Sequence, residues 1–350
     1  MAEFKIGEKK IGDNNPCFII AEVGANHNGN INLAKKLIIQ AKKIGADCVK
    51  FQTYKTEEFC ADKKKKFSYF SKGKKVTESE FNMFKRLEFN DNEWKEIFNF
   101  CLKQKIIFFT TIQDQPNLDL MLKLGIKAIK VGSDDFDFKI NHLKYAKTGL
   151  PLILSRGMST LSDIDKTINN LKSYTNKLAI LHCVSEYPVE PSNLNLQQLT
   201  TLINLYPKVI WGFSDHSMTN HASCAAVTLG AKIIEKHFTL DHNLAGPDHW
   251  FSANPEEMKS LINDIRITEN AIGSSVVEPT KNEFKSKLIM RRKIVAKDDL
   301  EKGTVLNINK VYFKRVDKGL SIDEWDKIKG KKIKKNLKKN AGISFNDIDF

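Results

Sequence analysis

The chain has 350 residues, of which 41% are hydrophobic and 28% are charged, and its formal net charge at pH 7 is +14. This balance is that of an ordinary globular protein, which excludes a long disordered chain, a collagen-like chain and a small disulfide-stapled scaffold. The apolar runs are far shorter than the ~20 residues that cross a membrane, and the first residues lack the apolar stretch of a secretion signal. Six cysteines are scattered without a CxxC pair. We therefore expect a cytoplasmic protein with free thiols, no membrane partner and two domains.

Positive charge is concentrated in two segments. Residues 63–75 hold seven lysines and residues 327–339 hold eight. Such clusters suit acidic partners, from nucleic acids to phosphorylated or carboxylated small molecules. The arginine–aromatic interleaving of RNA-binding modules is not visible, so we interpret the clusters as solvated faces and expect no nucleic-acid partner.

One pattern recurs along the first part of the chain: a helical stretch ends in glycine and a short apolar strand follows. The first helix, with Leu33, Leu37 and Ala41 at helical spacing, has Asn30 or Asn32 as candidate cap. The glycines are Gly45, Gly125, Gly149 and Gly230. Eight strands are predicted to start near Cys17, Asp47, Ile106, Lys127, Pro151, Leu178, Val209 and Lys232. Eight such βα units predict an α/β fold, a (β/α)8 TIM barrel, and the missing G-x-G-x-x-G motif argues against an open doubly wound sheet.

Two departures from this pattern stand out. The connection from Thr53 to Asp91 is unusually long and carries Phe67, Tyr69 and Phe70. After about Ser275 the helix–strand alternation gives way to short β-like pieces at residues 293–296, 305–306 and 311–315. We predict a barrel domain at 1–275, a linker at 276–284 and a small β-rich domain at 285–350, which is marginal in size and should dock on another surface.

Polar residues cluster at the predicted strand ends, where TIM barrels carry their catalytic groups. Lys50 and Lys130 are point charges suited to phosphate oxygens. The hydroxyl donors that could complete a phosphate pocket are Thr111, Ser133, Ser155 and Ser214. Glu22 and Glu235 are candidates for acid–base work or for orienting a hydroxyl group.

His216 and His237 follow adjacent strands and could share a divalent cation. Two imidazoles with open positions favour Mn²⁺, or Co²⁺ or Mg²⁺, over a closed structural zinc site. Such a metal polarises a carbonyl group as a Lewis acid. The strand ends therefore predict a site for a phosphorylated anion beside a polarised carbonyl.

Several motifs in a fixed order give the sequence a resemblance to the sialic acid synthase family, the phosphoenolpyruvate-dependent nonulosonate synthases. The motifs are IAEVGANHNG at 20–29, VKFQ at 49–52, LHC at 181–183 with Tyr187-Pro188, GFSDH at 212–216, EKHF at 235–238 and GPD at 246–248. RKIVA at 292–296 and Lys314-Arg315 resemble the antifreeze-like (SAF) domain that ends these enzymes. The resemblance covers nearly the whole chain.

The resemblance implies that phosphoenolpyruvate and water condense with an open-chain N-acetylated amino sugar, N-acetylmannosamine in sialic acid synthases, to give N-acetylneuraminate and phosphate. It assigns phosphoenolpyruvate to the two lysines and four hydroxyl residues above, and the metal to His216 and His237. It assigns Glu22 to the attacking water or a sugar hydroxyl group, and Glu235 to support of the metal and carboxylate region. Sugar contacts fall to Gln52, Tyr187 and Asp248. Arg315 is expected to reach the site of a second subunit in a domain-swapped homodimer, which suits a small domain that needs a partner surface.

Some positions depart from the family pattern: Ile112 replaces a proline, Asp134-Asp135 a common Gly-Glu, Arg156 a common threonine, and Val316 a proline. These departures leave open the alternative that the substrate is a trideoxy diacetamido sugar, as in the relatives that make legionaminic or pseudaminic acid. We expect the long 53–91 connection to help select the sugar.

Two other functions compete with this interpretation. An aldolase for a phosphorylated sugar would need a second pocket rich in arginine. A non-enzymatic barrel that binds polyanions would show salt-sensitive binding and would tolerate changes at the two histidines.

Overall fold

The computed structural model describes residues 3–350, which divide into two compact units after Gly273. The strands of the first unit are, in chain order, β1 (Glu3–Ile6), β2 (Lys9–Gly12), β3 (Phe18–Gly24), β4 (Cys48–Thr53), β5 (Lys66–Ser71), β6 (Lys74–Ser79), β7 (Ile107–Ile112), β8 (Ile129–Val131), β9 (Leu152–Ser155), β10 (Leu178–Cys183), β11 (Ile210–Asp215) and β12 (Ile233–His237). Its helices are α1 (Ile31–Lys43), α2 (Thr56–Phe59), α3 (Glu80–Leu87), α4 (Asp91–Gln104), α5 (Gln115–Leu124), α6 (Lys139–Lys147), α7 (Leu161–Leu171), α8 (Gln197–Leu205), α9 (Asn220–Thr228) and α10 (Pro255–Ile272). A short 3-10 helix spans Pro191–Asn193.

Eight of these strands close into a parallel barrel in the order β10-β11-β12-β3-β4-β7-β8-β9. The predicted TIM barrel is confirmed, and each strand starts within a few residues of its predicted start. Barrel strands such as β3 and β10 are buried along their whole length, because helices cover the barrel from outside. The carboxyl ends of all eight strands therefore meet at one end of the barrel.

The predicted helix boundaries have the expected local causes. Asn30 caps α1, and its side chain accepts hydrogen bonds from the backbone N–H groups of Asn32 and Leu33. The glycine at position 125 follows α5 at a φ of 84°, in the left-handed region that favours glycine. Such local signals made the helix ends readable from the sequence.

A hairpin of β1 and β2, which the sequence reasoning did not identify, packs against the amino-terminal ends of the barrel strands. Phe4, Ile6 and Ile11 share a buried cluster with inward residues of the barrel, among them Ile20 and Phe109. A larger apolar layer lies between the barrel and its helices. Apolar packing fills the amino-terminal end of the barrel, so the polar residues are confined to the opposite end.

The second unit is small and rich in turns. It contains α11 (Lys281–Met290), β13 (Lys293–Ala296), β14 (Val311–Lys314), α12 (Trp325–Ile328), β15 (Lys332–Ile333) and β16 (Ile348–Asp349), with β13 pairing β14 and β15 pairing β16 antiparallel. The predicted piece at 305–306 forms a single bridge from Val305 to Lys332 and no strand. Helix α11 crosses the end of the predicted 276–284 linker.

The six cysteines are free thiols, and four of them are buried. Among residues 3–350 no helix combines the length and apolar character needed to cross a membrane.

Candidate active site

The polar residues predicted at the strand ends lie around one rim of the barrel. Strand register pairs Glu22 with both Lys50 and His237. It also pairs Thr111 with Lys130. All five side chains are buried, although burying a charge is costly unless it is paired. We therefore expect the buried charges among them to be compensated by ion pairs and hydrogen bonds with other residues of the rim.

The ammonium group of Lys50 lies between two glutamates. Its Nζ is 2.9 Å from Glu22 Oε1 and 3.7 Å from Glu235 Oε2. It also donates a hydrogen bond of 2.9 Å to Thr111 Oγ1. Burial disfavours the charged form, but the two carboxylates outweigh it and raise the pKa of Lys50. This lysine therefore stays charged inside the barrel.

Lys130 forms the second half of the same network. Its Nζ donates to Ser155 Oγ at 2.6 Å and lies 3.8 Å from Glu235 Oε1. Ser214 Oγ donates to the same Glu235 oxygen at 2.9 Å. Burial lowers the pKa of Lys130. Two ammonium groups and three hydroxyl groups thus converge around Glu22 and Glu235, and groups of these types donate hydrogen bonds to phosphate oxygens.

Ser133 is placed differently from the other predicted hydroxyl residues. Its Oγ lies 2.9 Å from Ser185 Oγ, in a hydrogen bond in which either can donate. The two serines form a separate pair of hydroxyl groups on this rim.

The two rim glutamates differ in their ionisation. Burial raises the pKa of Glu22 to about 7, although Lys50 acts in the opposite direction. Burial also disfavours ionised Glu235, but Lys130 and Lys50 together lower its pKa below the ordinary value. Gln52 Nε2 donates to Glu22 Oε1 at 3.1 Å and fixes that carboxylate. Glu22 is therefore the glutamate suited to exchange a proton near neutral pH.

The imidazoles of His216 and His237 have ring centroids 5.6 Å apart. The Nδ1 of His216 lies 2.7 Å from the carbonyl oxygen of Val184, which orients the ring, and its Nε2 lies 3.4 Å from Ser214 Oγ. The Nδ1 of His237 is buried without a hydrogen-bond partner and lies 3.7 Å from Asp248 Oδ2. Burial lowers the pKa of both imidazoles, to about 4 for His216. Both rings are neutral, the form that binds metal ions.

These residues fit a divalent cation with open coordination positions. A buried nitrogen without a partner, as in His237, calls for a ligand. Among residues 3–350 no group of three or more histidine, cysteine or carboxylate side chains converges as a metal site. Two imidazole nitrogens, with water or substrate oxygens at the remaining positions, form a donor set that suits a divalent cation such as Mn²⁺.

A cavity of about 340 Å³ opens beside the imidazoles. Three residues predicted to contact a sugar, Gln52, Tyr187 and Asp248, line it together with His237. The Tyr187 ring stacks on His216 with a centroid distance of 4.1 Å. Most of the remaining lining is apolar or aromatic: Ala25, Phe67, Tyr69, Phe70, Met83, Phe84, Leu87, Pro247, Trp250 and Phe251.

The long 53–91 connection supplies much of this aromatic lining. Its β5–β6 hairpin is anchored by Glu78, which accepts two hydrogen bonds from the Arg86 guanidinium and one from Tyr69. On the other side, the Gly246 N–H donates to Ser71 Oγ at 3.1 Å. The sequence reasoning flagged the connection but missed the hairpin. The signal that could have predicted the hairpin is the pair of aromatic residues at alternate positions, Phe67 and Tyr69, followed by Lys72-Gly73 as a turn.

Arg315 belongs to the other unit, directly after β14, and its side chain is exposed. Its role in the site of a partner subunit therefore stays a prediction.

Residues 37–277 match the NeuB family and residues 291–349 match the SAF domain. The chain is 39% identical over 328 residues to the N,N'-diacetyllegionaminic acid synthase of Campylobacter jejuni, and the aligned region covers 93% of this chain and 98% of that protein. It is 32% identical to the N-acetylneuraminate-9-phosphate synthase of Homo sapiens over 92% of this chain and 90% of that protein.

A solved structure agrees in fold and sequence. The N-acetylneuraminic acid synthetase of Leptospira borgpetersenii, solved in complex with citrate, superposes with a TM-score of 0.74 at 35% identity. The match covers 81% of this chain and 94% of that one. The resemblance read from the motifs is thereby confirmed. This chain belongs to the NeuB family, whose synthases form a carbon–carbon bond with phosphoenolpyruvate, and it ends in a SAF domain.

Proposed function

We propose that the protein is a nonulosonate synthase that condenses phosphoenolpyruvate with an open-chain N-acetylated amino sugar. C3 of phosphoenolpyruvate forms a bond to the aldehyde carbon, water adds at C2, and the C2–O bond to phosphate breaks. Phosphate leaves with the former enol oxygen, so the atoms balance. The observation that carries the proposal is the convergence of two buried ammonium groups and three hydroxyl groups beside two neutral imidazoles.

The rim residues have separate tasks in this reaction. Lys50 and Lys130 would neutralise the phosphate and carboxylate of phosphoenolpyruvate, with Thr111, Ser155 and Ser214 as hydroxyl donors and Ser133 beside them. Glu22, oriented by Gln52, would take the proton of the water that attacks C2. Glu235 holds both lysines in place through contacts of 3.7 and 3.8 Å.

His216 and His237 would hold the divalent cation, for which we propose Mn²⁺ ahead of Co²⁺ or Mg²⁺. When bound, the cation polarises the aldehyde oxygen. The Tyr187 ring stacked on His216 closes one side of the position where the aldehyde would lie.

The apolar cavity bears on which sugar is used. N-acetylmannosamine, the sugar expected first from the resemblance, has hydroxyl groups at C4 and C6. Burying a hydroxyl group without a hydrogen bond costs about 1–3 kcal/mol, whereas burying a methyl group is favourable by about 0.8 kcal/mol. The lining by Phe70, Phe84, Trp250 and Phe251 therefore favours the second candidate, a trideoxy diacetamido sugar that yields N,N'-diacetyllegionaminate or pseudaminate. The 39% identity to a legionaminic acid synthase supports the same candidate.

The proposal is tested by incubating the pure protein with phosphoenolpyruvate, Mn²⁺ and a panel of acetamido sugars. The panel contains N-acetylmannosamine, its 6-phosphate and the diacetamido trideoxy sugars of both configurations. Phosphate release and product mass are followed, with an EDTA-treated sample as control. We expect the highest kcat/KM with a trideoxy sugar. If none of the sugars in the panel leads to phosphate release, the synthase proposal is contradicted. If N-acetylmannosamine is the only sugar that does, N-acetylneuraminate is the product, as first expected.

We further propose a homodimer in which Arg315 reaches the site of the partner subunit and binds the N-acetyl group. Support comes from the SAF domain match and from the exposed side chain of Arg315. Sedimentation velocity measures the oligomeric state. The Arg315→Ala variant should raise the KM for the sugar and leave that for phosphoenolpyruvate unchanged.

A further inference from the structure

A separate cavity of about 380 Å³, with a more polar lining, lies beyond the ends of β9 and β10. It is lined by Arg156, Ser159, Thr160, Ser185, Asn193 and Gln198, among others. It opens to solvent beside Met158, which is 74% exposed. No residue of this cavity has a role in the proposed reaction, although Ser185 is hydrogen-bonded to Ser133.

The side chain of Arg156 is the unusual feature of this cavity. Only 7% of the residue is exposed, yet among residues 3–350 no carboxylate oxygen lies within ion-pair distance of its guanidinium. Its NH2 group contacts His182 Nδ1 and Gln198 Oε1, and its Nε is buried with no hydrogen-bond partner. The positive charge is therefore buried and faces neutral groups.

The histidine beside Arg156 does not supply the missing negative charge. Nε2 of His182 lies 2.6 Å from the carbonyl oxygen of Leu194, so this nitrogen carries the proton and donates it. Nδ1 is then the acceptor for the guanidinium. Burial, together with the nearby arginine, lowers the pKa of His182 to about 4. The imidazole is neutral at physiological pH and leaves the arginine charge uncompensated.

Within the described part of the chain, Glu186 is the one carboxylate that lines the cavity, and it contacts another residue. It is exposed, and its Oε2 accepts a 3.1 Å hydrogen bond from Asn193 Nδ2. Burying a cation without a counterion costs several kcal/mol of folding free energy. An anion bound in this cavity would therefore stabilise the folded protein.

The cavity differs from the phosphoenolpyruvate pocket. Successive residues of a strand point to opposite faces. Ser155 points into the barrel, where Lys130 donates to it. Arg156 contacts Gln198 of α8, which lies outside the barrel. An anion at Arg156 would therefore be separate from the substrate phosphate.

We propose that this cavity is a second anion site, which binds a phosphate group through the Arg156 guanidinium. With NH2 bonded to His182 and Gln198, the guanidinium retains its NH1 group and its Nε–H as charged donors to phosphate oxygens. The hydroxyl group of Ser185 and the second amide N–H of Asn193 lie in the lining of the same cavity and supply further donors, whereas Ser159 Oγ donates to the carbonyl oxygen of Gly157. A tetrahedral oxyanion has enough acceptor oxygens for this set, whether it is free phosphate or the phosphate group of a phosphomonoester.

The test uses isothermal titration calorimetry of the full chain with inorganic phosphate and, separately, glucose 6-phosphate, at constant ionic strength. The parent is the Lys130→Ala variant, in which the proposed substrate phosphate pocket is weakened, so that binding reports the second site. We expect the added Arg156→Met change to weaken binding at least about tenfold and Arg156→Lys to have an intermediate effect. Arg291→Met, which removes an exposed arginine, is the control with the same change in net charge.

Thermal unfolding in phosphate-free buffer checks the fold of each variant. The Tm of Arg156→Met should equal or exceed that of its parent, because an uncompensated buried charge has been removed, and its Tm should no longer rise with phosphate. Equal phosphate affinity with and without Arg156, or no binding of either phosphate compound at millimolar concentration, would overturn the proposal. If Arg156→Met does not fold, the phosphate affinity of Arg156→Lys is compared with that of the parent, and an unchanged affinity would overturn the proposal. Because the proposed substrate pocket is weakened equally in the parent and in the Arg156 variants, and no turnover is measured, failure of this site and failure of the synthase proposal remain distinguishable.

Discussion

Replacing Lys50 by methionine should strongly destabilise the barrel, even though the new side chain is apolar and close in size. Lys50 and Glu22 expose only 3% and 2% of their side chains, and their charged atoms lie 2.9 Å apart. Without the ammonium group, Glu22 and Glu235 face each other in the barrel with one cation, Lys130, remaining. The pair also loses the hydrogen bond from Lys50 to Thr111.

The size of the effect follows from the burial of the remaining charge. Breaking a buried ion pair by removing one partner costs about 3–5 kcal/mol. In a domain of this size each kcal/mol lowers Tm by about 2–4 °C, so Lys50→Met should lower it by roughly 6–20 °C. Adding Glu22→Gln removes the uncompensated carboxylate and should recover part of the loss.

Differential scanning calorimetry of the protein at pH 7 measures this effect. The matched control is Lys10→Met, because Lys10 lies 3.4 Å from Glu3 in a pair whose side chains are about half exposed. An exposed pair contributes at most about 1 kcal/mol, so Lys10→Met should change Tm little. Equal Tm values for the two variants would refute the view that the Lys50 pair is buried and structurally required.

Three further changes test the site and the barrel. His237→Ala should sharply lower Mn²⁺ affinity measured by calorimetry, together with kcat, without changing the far-UV circular dichroism spectrum, because it removes a buried imidazole proposed as a ligand. Lys130→Ala should raise the KM for phosphoenolpyruvate by about 10–100-fold, since a charge-assisted contact to phosphate is lost. Gly212→Ala should lower the free energy of unfolding by about 1–3 kcal/mol in urea titrations, because its added Cβ would lie 2.5 Å from Leu181 Cδ2 and 2.6 Å from Ile233 O.

Each of these has a contradicting result. Retained Mn²⁺ affinity in His237→Ala would exclude this histidine as a ligand. An unchanged KM for phosphoenolpyruvate in Lys130→Ala would exclude the phosphate role of this lysine. A wild-type urea midpoint for Gly212→Ala would mean that β11 shifts to accept the methyl group.

Local signals explain why the barrel was readable from the sequence. Glycine after a helix, apolar runs of strand length and a capping asparagine act within a few residues of each other, and the structure places Asn30 and Gly125 in those roles. The β1–β2 hairpin and the β5–β6 hairpin were missed. Both are short antiparallel pairs whose stability depends on what they pack against, so their sequence signal is weak.

The sequence by itself determined which polar residues stand at the strand ends, since strand periodicity and the order of the motifs are properties of the chain. It could not determine their partners. Glu22 contacts Lys50 because adjacent barrel strands bring them into register. Lys50 reaches Glu235 on a strand far along the chain because the barrel closes and turns both side chains inward. Arg156 carries an unbalanced charge because, among residues 3–350, no carboxylate oxygen lies within ion-pair distance of it. Such long-range pairings depend on register and closure, which arise only when all eight strands have come together.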